Sequence, residues 1–145
     1  MMKQKEGDLM IKVADIMSTT LHTLNTQHSL ADARKLMTEH GIRHIPIVDE
    51  QNNILGIVSQ RDVLAAEESS AFKLSAEQRI NSELQLKVDD FYHKDIATMS
   101  ANASVLSAAL YIQKHKIGCL PVVSHGRLLG LVTDSDFVNV AINLL

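Results

Sequence analysis

The sequence predicts an α/β chain of the α+β kind, built from two pseudo-two-fold-related β-α-β-β-α repeats packed through their sheets, with an extra helix in the linker between them. Three observations predict it. The 145 residues are 46% hydrophobic but only 3% aromatic, with no tryptophan, an aliphatic composition suited to helices packed on sheets. The chain repeats itself, Val13 to Ala66 lying over Val88 to Ala141. Each repeat joins a segment of helical apolar spacing to two strand-like runs separated by a polar turn.

The duplication is visible residue by residue. At an offset of 75, Val13 falls on Val88, Asp15 on Asp90, Ser29 on Ser104, Ala33 on Ala108, His40 on His115, Pro46 on Pro121 and Val48 on Val123. After a one-residue deletion the offset is 74, and Leu55, Gly56, Val58 and Asp62 fall on Leu129, Gly130, Val132 and Asp136. The deletion lies among Asp49 to Asn53 and Ser124 to Arg127, polar residues that mark a hairpin turn, where length changes are tolerated. This divides the chain into a tail 1–12, a first repeat 13–66, a linker 67–87 and a second repeat 88–145. A repeat of roughly 50 residues buries too little surface to be stable alone, so the two sheets are expected to face each other.

Taken in order, each repeat opens with a short extended segment, Leu21 to Leu24 or Ile96 to Met99. A helix follows, with Leu30, Ala33, Met37 and His40 in the first and Val105, Ala108, Ile112 and His115 in the second at helical spacing, and with Ser29 and Ser104 as N-caps. Two strands come next, Ile42 to Val48 with Ile54 to Ser59, and Ile117 to Val123 with Leu128 to Thr133. A closing helix starts at about Asp62 or Asp136. In the linker, polar Glu67 to Ser70 precede a run with Leu74, Ile80 and Leu84 at helical spacing, which predicts the extra helix.

The functional signal is the twice-repeated pattern of glycine, two apolar residues, a hydroxyl residue, two further residues and aspartate: Gly56 to Asp62 and Gly130 to Asp136. A hydroxyl followed three residues later by an acid is also how many helices are capped. Recurrence at the same strand-to-helix junction, with the same glycine and the same preceding hairpin, turns the reading toward a ligand. Gly56 and Gly130 lack a Cβ and would let a planar ligand approach the backbone. Ser59 and Thr133 offer hydroxyls beside the N–H groups of a helix N-terminus. Asp62 and Asp136 are acceptor-only carboxylates suited to the vicinal hydroxyls of a ribose, and Ile57 and Leu131 can wall an adenine ring.

These segments, with Asp15-Ile16-Met17-Ser18 and Arg43-His44-Ile45-Pro46-Ile47-Val48-Asp49, closely resemble the cystathionine-β-synthase (CBS) domain family, over both repeats. The resemblance implies a tandem CBS pair, or Bateman-type module, with two clefts for AMP, ADP, ATP, S-adenosylmethionine or similar ligands, acting as a regulator and not an enzyme. It also implies a homodimer. Carried over by position, it implies that Asp62 and Asp136 hold ribose, that Ser59 and Thr133 meet the ribose–phosphate junction, and that Thr20, Leu21, Ile57, Ile96 and Leu131 line the base. Arg43 and His44 would face phosphate, and Arg61 and Ser135, inside the two motifs, complete the expected first and second sites. The second repeat departs from the pattern: Gly118-Cys119 stands for Arg43-His44, Phe91-Tyr92-His93 for Ile16-Met17-Ser18, and Asp134 adds a like charge near any phosphate. A less charged adenosyl ligand, or none, is expected there. The alternative function is a structural dimerisation module with vestigial clefts.

Other classes are disfavoured. The net charge is −3 and the basic residues are scattered, which argues against nucleic acid. Apolar runs stop at about five residues, far short of the ~20 that span a bilayer, and the N-terminus lacks a signal-like run, so a cytoplasmic protein without membrane contact is expected. The single cysteine, Cys119, reads as a small buried hydrophobe. The seven histidines show no metal-ligand spacing; His40 and His115 read as helix C-terminal residues. No serine lies in a nucleophile-elbow pattern. No cofactor is expected to be required, and any regulatory output must pass to a separate, unidentified effector protein.

Overall fold

The computed structural model of the chain describes residues 11–71 and 75–145. Residues 1–10 of the expected tail, and Leu74 of the expected linker helix, lie outside the described residues. In chain order the elements are the single turn α1 (Val13–Ile16), α2 (Leu30–His40), β1 (His44–Val48), β2 (Ile54–Ser59), α3 (Gln60–Ala71), α4 (Ala76–Gln85), a 3-10 turn (Val88–Asp90), β3 (Met99–Ser100), α5 (Val105–His115), β4 (Cys119–Ser124), β5 (Arg127–Thr133) and α6 (Asp134–Leu144). The fold is α+β with two small sheets. Two compact units cut across the sequence repeats: among the described residues one takes in 11–21 together with Ala97–Leu145, and the other is His22–Ile96.

In the unit His22–Ile96, β1 and β2 pair antiparallel, with His44 opposite Ser59 and Pro46 opposite Ile57. Their turn closes on Asp49, whose carboxylate accepts the N–H groups of Gln51 and Asn53, both at 2.9 Å. On the far side of β1, Leu24 makes one parallel bridge to Ile47; on the outer edge of β2, His93 pairs with Ile57. In the other unit Met99 and Ser100 pair parallel with Val122 and Val123 of β4. There, β4 pairs antiparallel with β5, Cys119 opposite Thr133 and Pro121 opposite Leu131, and Ser18 pairs with Leu131 on the outer edge. The expected extended segments thus join the sheets only at their last residues.

A proline in a strand removes a ladder donor, and each unit accommodates one at the same place. Ile57 turns its own N–H and C=O away from Pro46, toward His93, at 3.0 and 2.9 Å. Leu131 does the same with Ser18, at 3.0 and 2.8 Å, opposite Pro121. The proline therefore faces a residue that asks nothing of it. Both prolines are fully buried.

The helices start where local chemistry starts them. Ser29 Oγ accepts the Asp32 N–H at 3.1 Å while the Asp32 carboxylate accepts the Ser29 N–H at 2.9 Å, a reciprocal cap. That backbone bond holds the Asp32 carboxyl below its ordinary value. Ser104 caps α5 through the Ser107 N–H at 3.0 Å. α2 buries Leu30, Ala33 and Met37 against Ile45, Ile47 and Val58, and α5 buries Ala108 and Ile112 against Leu120, Val122 and Val132. Removing such side chains from water contributes about 1.5–3 kcal/mol each.

Two elements differ from expectation. The closing helices begin two residues early, at Gln60 and Asp134, and α3 runs on through Glu67 to Ser70, which the sequence suggests as linker. No glycine or proline interrupts that stretch, and Glu67 is anchored by Arg34, Nε to Oε1 at 2.8 Å. The linker helix α4 forms, yet its expected apolar positions Ile80 and Leu84 are 59% and 55% exposed, while Glu83 is buried. The ion pair from Arg34 to Glu83 selects that face.

α2 and α5 both end on a left-handed residue, Gly41 at φ 61° and its equivalent Lys116 at φ 53°. Only glycine adopts that conformation without a Cβ penalty. Gly41→Ala is expected to destabilise by about 1 kcal/mol and Lys116→Gly to stabilise by about 0.5–1 kcal/mol, as read from urea unfolding midpoints.

Candidate functional site

The two glycine-to-aspartate motifs lie at equivalent places, each where an outer strand turns into a closing helix. In the unit His22–Ile96, Asp62 Oδ2 accepts the Ser59 N–H at 2.7 Å and the Asp62 N–H donates to Ser59 Oγ at 3.2 Å. The other oxygen, Oδ1, is 3.0 Å from His93 Nε2. In the second motif, Asp136 Oδ2 accepts the Thr133 N–H at 2.8 Å, with the Thr133 hydroxyl at 3.4 Å, and Asp136 Oδ1 accepts the Ser18 hydroxyl at 3.2 Å. Both carboxylates therefore cap their helices, and each uses its second oxygen on the segment that opens a repeat. Ser18 and His93 are equivalent positions of the duplication.

Those opening segments are themselves anchored by acids. Asp15 accepts the Lys12 N–H at 2.9 Å, and its equivalent Asp90 accepts the Lys87 N–H at 3.3 Å. Each segment then passes across the motif glycine. A Cβ on Gly56 would overlap the His93 carbonyl oxygen and lie 2.6 Å from a ring carbon of Tyr92. On Gly130 it would lie 2.8 Å from Met17 Sδ and 2.9 Å from the Ser18 carbonyl oxygen. The close approach that the glycines permit is thus made by the chain's own backbone, which corrects the expectation of a planar ligand there.

The expected first-site residues Arg43, His44, Ile57, Ser59, Arg61 and Asp62 all lie in the unit His22–Ile96. The register sets His44 opposite Ser59, and the Gln60 N–H donates to the Arg43 carbonyl at 2.8 Å, so five of the six gather at one end of the β1–β2 hairpin. With Gln60 and Asp62 bonded to Arg43 and Ser59, those two N–H groups of α3 are engaged. Leu131, Thr133, Ser135 and Asp136 lie in the other unit. Thr20 and Leu21 belong to that unit too, and Ile96 to the unit His22–Ile96. Ile57 and Leu131 are each only 8% exposed and pair with the edge segments through their backbones.

The two motif environments differ in charge. Arg43 and Arg61 flank the first; Gly118 and Ser135 replace them in the second, where Asp134 joins Asp136. Cys119, opposite Thr133, registers that field: burial first, then Asp136 and Asp134, pushes its thiol up to about 12, so it stays protonated near neutrality. Sequence reasoning missed His93 and Ser18 as partners of the two aspartates. The offset of 75 aligns them, which was the available signal. Among the described residues no group of three or more His, Cys, Asp or Glu could hold a metal ion, and no helix is long and apolar enough to cross a membrane.

The CBS domain family matches residues 13–69 and 88–143. Among solved structures the chain is similar to a Vibrio cholerae protein assigned to acetoin utilization (AcuB), at 48% identity, TM-score 0.81, covering 94% of this chain and 93% of that one. It is similar to CBSX2 in complex with AMP, at 26% identity and TM-score 0.76, covering 92% and 97%. It is also similar to the CBS domain pair of protein MJ0100 in complex with 5′-methylthioadenosine and S-adenosyl-L-methionine, at 25% identity and TM-score 0.76, covering 90% and 99%. The chain spans 94% of a CBS domain-containing protein of Dictyostelium discoideum, 31% identical over 136 residues, but 23% of a homoserine O-acetyltransferase of Methanococcoides burtonii, 30% identical over 128.

The glycine geometry gives a stability test. Gly56→Ala meets backbone and an aromatic ring, whereas Gly130→Ala meets a flexible methionine as well as a carbonyl. Overpacking costs about 1–3 kcal/mol, and Gly56→Ala is expected at or above the top of that range, with Gly130→Ala below it. Chemical denaturation of both variants checks the order.

Proposed function

The chain belongs to the CBS-domain family, and on that premise we propose that it is a regulatory module that binds an adenine nucleotide or related adenosyl ligand, among AMP, ADP, ATP and S-adenosylmethionine. It carries out no catalysis, acts in the cytoplasm, and passes its ligand state to a separate effector protein. One observation carries the reading: a hydroxyl residue and an aspartate are kept at both strand-to-helix junctions, although the positions around them have diverged. A carboxylate that caps a helix still has lone pairs to offer ribose hydroxyls. Similarity to structures holding AMP, 5′-methylthioadenosine and S-adenosyl-L-methionine supports the ligand class.

The first site, with Arg43, His44, Ser59, Arg61 and Asp62, is assigned a phosphorylated nucleotide, because arginine grips phosphate with paired charge-assisted bonds. The second, with Thr133, Ser135 and Asp136, is assigned a less charged adenosyl ligand. Thr20, Leu21, Ile57, Ile96 and Leu131 are assigned to the base. A second reading has a specific observation in its favour. Both aspartates are already employed as caps, as a dimerisation module without ligand would require.

One substitution separates the two. Asp62→Ala is expected to lower AMP affinity by about 10–150-fold, corresponding to about 1.5–3 kcal/mol for a hydrogen-bonded carboxylate. Loss of stability by about 1 kcal/mol with unchanged affinity would establish the capping role alone. Isothermal titration and thermal unfolding on the same variant measure both, and Arg43→Ala should weaken ATP more than adenosine.

A homodimer is also proposed. The closing helices leave Leu64 on α3 and its equivalent Val138 on α6 51% and 57% exposed, with Ile142 one turn further along at 63%. These rows are the apolar faces that a second copy would cover. Sedimentation equilibrium at tens of micromolar is expected to show twice the 16.0 kDa chain mass, and a monomer there overturns the assignment.

A further inference from the structure

The two aspartates are closed by different chemistry. Asp136 Oδ1 is held by a hydroxyl, from Ser18, and Asp62 Oδ1 by an imidazole, from His93. A hydroxyl has one charge state near neutrality. An imidazole ordinarily changes charge between about pH 5 and pH 8. Protonated, it forms an ion pair with Asp62; neutral, it forms an ordinary hydrogen bond.

We propose that His93 is a proton-dependent gate on Asp62, displaced when a ligand's ribose hydroxyls reach that carboxylate, whereas the Ser18 contact on Asp136 is indifferent to pH. The inference rests on the ribose role assigned to Asp62 above. Two facts say which partner yields. The Asp62 side chain is 14% exposed and its Oδ2 is fixed by a backbone N–H of the helix cap, so an incoming diol has few directions of approach. The His93 side chain is 71% exposed and can swing away without breaking the bonds of its own backbone to Ile57. The charged and titratable groups around the pair are Arg43 and His44 at the same end of the β1–β2 hairpin, Arg61 beside Asp62 at the start of α3, and Lys94 and Asp95 beside His93. Lys94 Nζ lies 5.3 Å from the centroid of the Tyr92 ring.

The sign follows. At low pH the imidazolium competes with ribose for Asp62 and binding is weak; as pH rises the hold relaxes and binding tightens. Solvent screening of the exposed His93 partner limits the effect to about threefold to fivefold in affinity.

The test is isothermal titration of adenosine, whose own charge is constant in this range, from about pH 5.5 to about pH 8.5. It is run in an Asp136→Ala background so that the Asp62 site is read alone. Affinity is expected to rise about threefold to fivefold with pH. His93→Ser, which copies the residue at the equivalent position, should abolish the slope and match or exceed the high-pH affinity at every pH. His93→Gln, which keeps a donor without the titration, should be flat as well. Binding that persists in Asp62→Ala overturns the ribose assignment itself. Binding that needs Asp62 but has no pH slope, falls as pH rises, or keeps its slope in His93→Ser overturns the gate and leaves the ribose assignment standing.

Discussion

The backbone pairing of each opening segment with the outer strand of a hairpin is the interaction on which the rest depends. Four hydrogen bonds of 2.8 to 3.0 Å, between His93 and Ile57 and between Ser18 and Leu131, give each unit the last row of its sheet. They set which residues form a unit, place a side chain on each motif aspartate, and require glycine at positions 56 and 130. They also satisfy the polar groups of Ile57 and Leu131, which the facing prolines could not. Buried backbone groups left without partners would each cost about 1–3 kcal/mol. Without this edge the hairpins would present open strands and the motif carboxylates would lose their second partner.

The duplication shows which positions geometry fixes and which are open to change. Pro46 and Pro121, and Gly56 and Gly130, each answer a backbone constraint repeated in both units, and Asp62 and Asp136 each stand at the start of a closing helix. Gly41 and Lys116 differ although both are left-handed, because that constraint costs only about 1 kcal/mol to violate. Arg43 and Gly118, His44 and Cys119, and Ser18 and His93 differ at positions where the hairpin forms with either side chain. The asymmetry of charge comes from Arg43 and Gly118 together with Arg61 and Ser135 and with Gln60 and Asp134.

What the sequence made legible was local. Ser29 and Ser104 were readable as caps because a cap spans three residues, and the hairpins because their turn absorbs the one deletion between the repeats. The helical spacing around Ile80 and Leu84 announced α4 but not its buried face, which is chosen by Arg34 pairing with Glu83, 49 positions away. The destination of the opening segments was illegible for the same reason. Backbone pairing across distant stretches leaves no side-chain period to count, and a glycine that admits a ligand looks the same as one that admits a neighbouring strand. Both meanings of the aspartate motif were readable, and the structure realises the capping one reciprocally at Ser59 and Asp62 and through the aspartate's carboxylate at Thr133 and Asp136.

The exchange of opening segments imposes an order on biosynthesis. Everything in the unit His22–Ile96 emerges from the ribosome as one continuous run, so it can close as soon as His93 is available. The other unit needs its earlier segment to wait for its later one: Ser18 and Asp136 are 118 positions apart. At about 5–20 residues per second that is a delay of roughly 6 to 24 seconds, during which Val13, Ile16 and Met17 have no strand to cover them. One unit is thus able to fold from a single continuous run of chain, and the other must wait until two distant stretches have both been made.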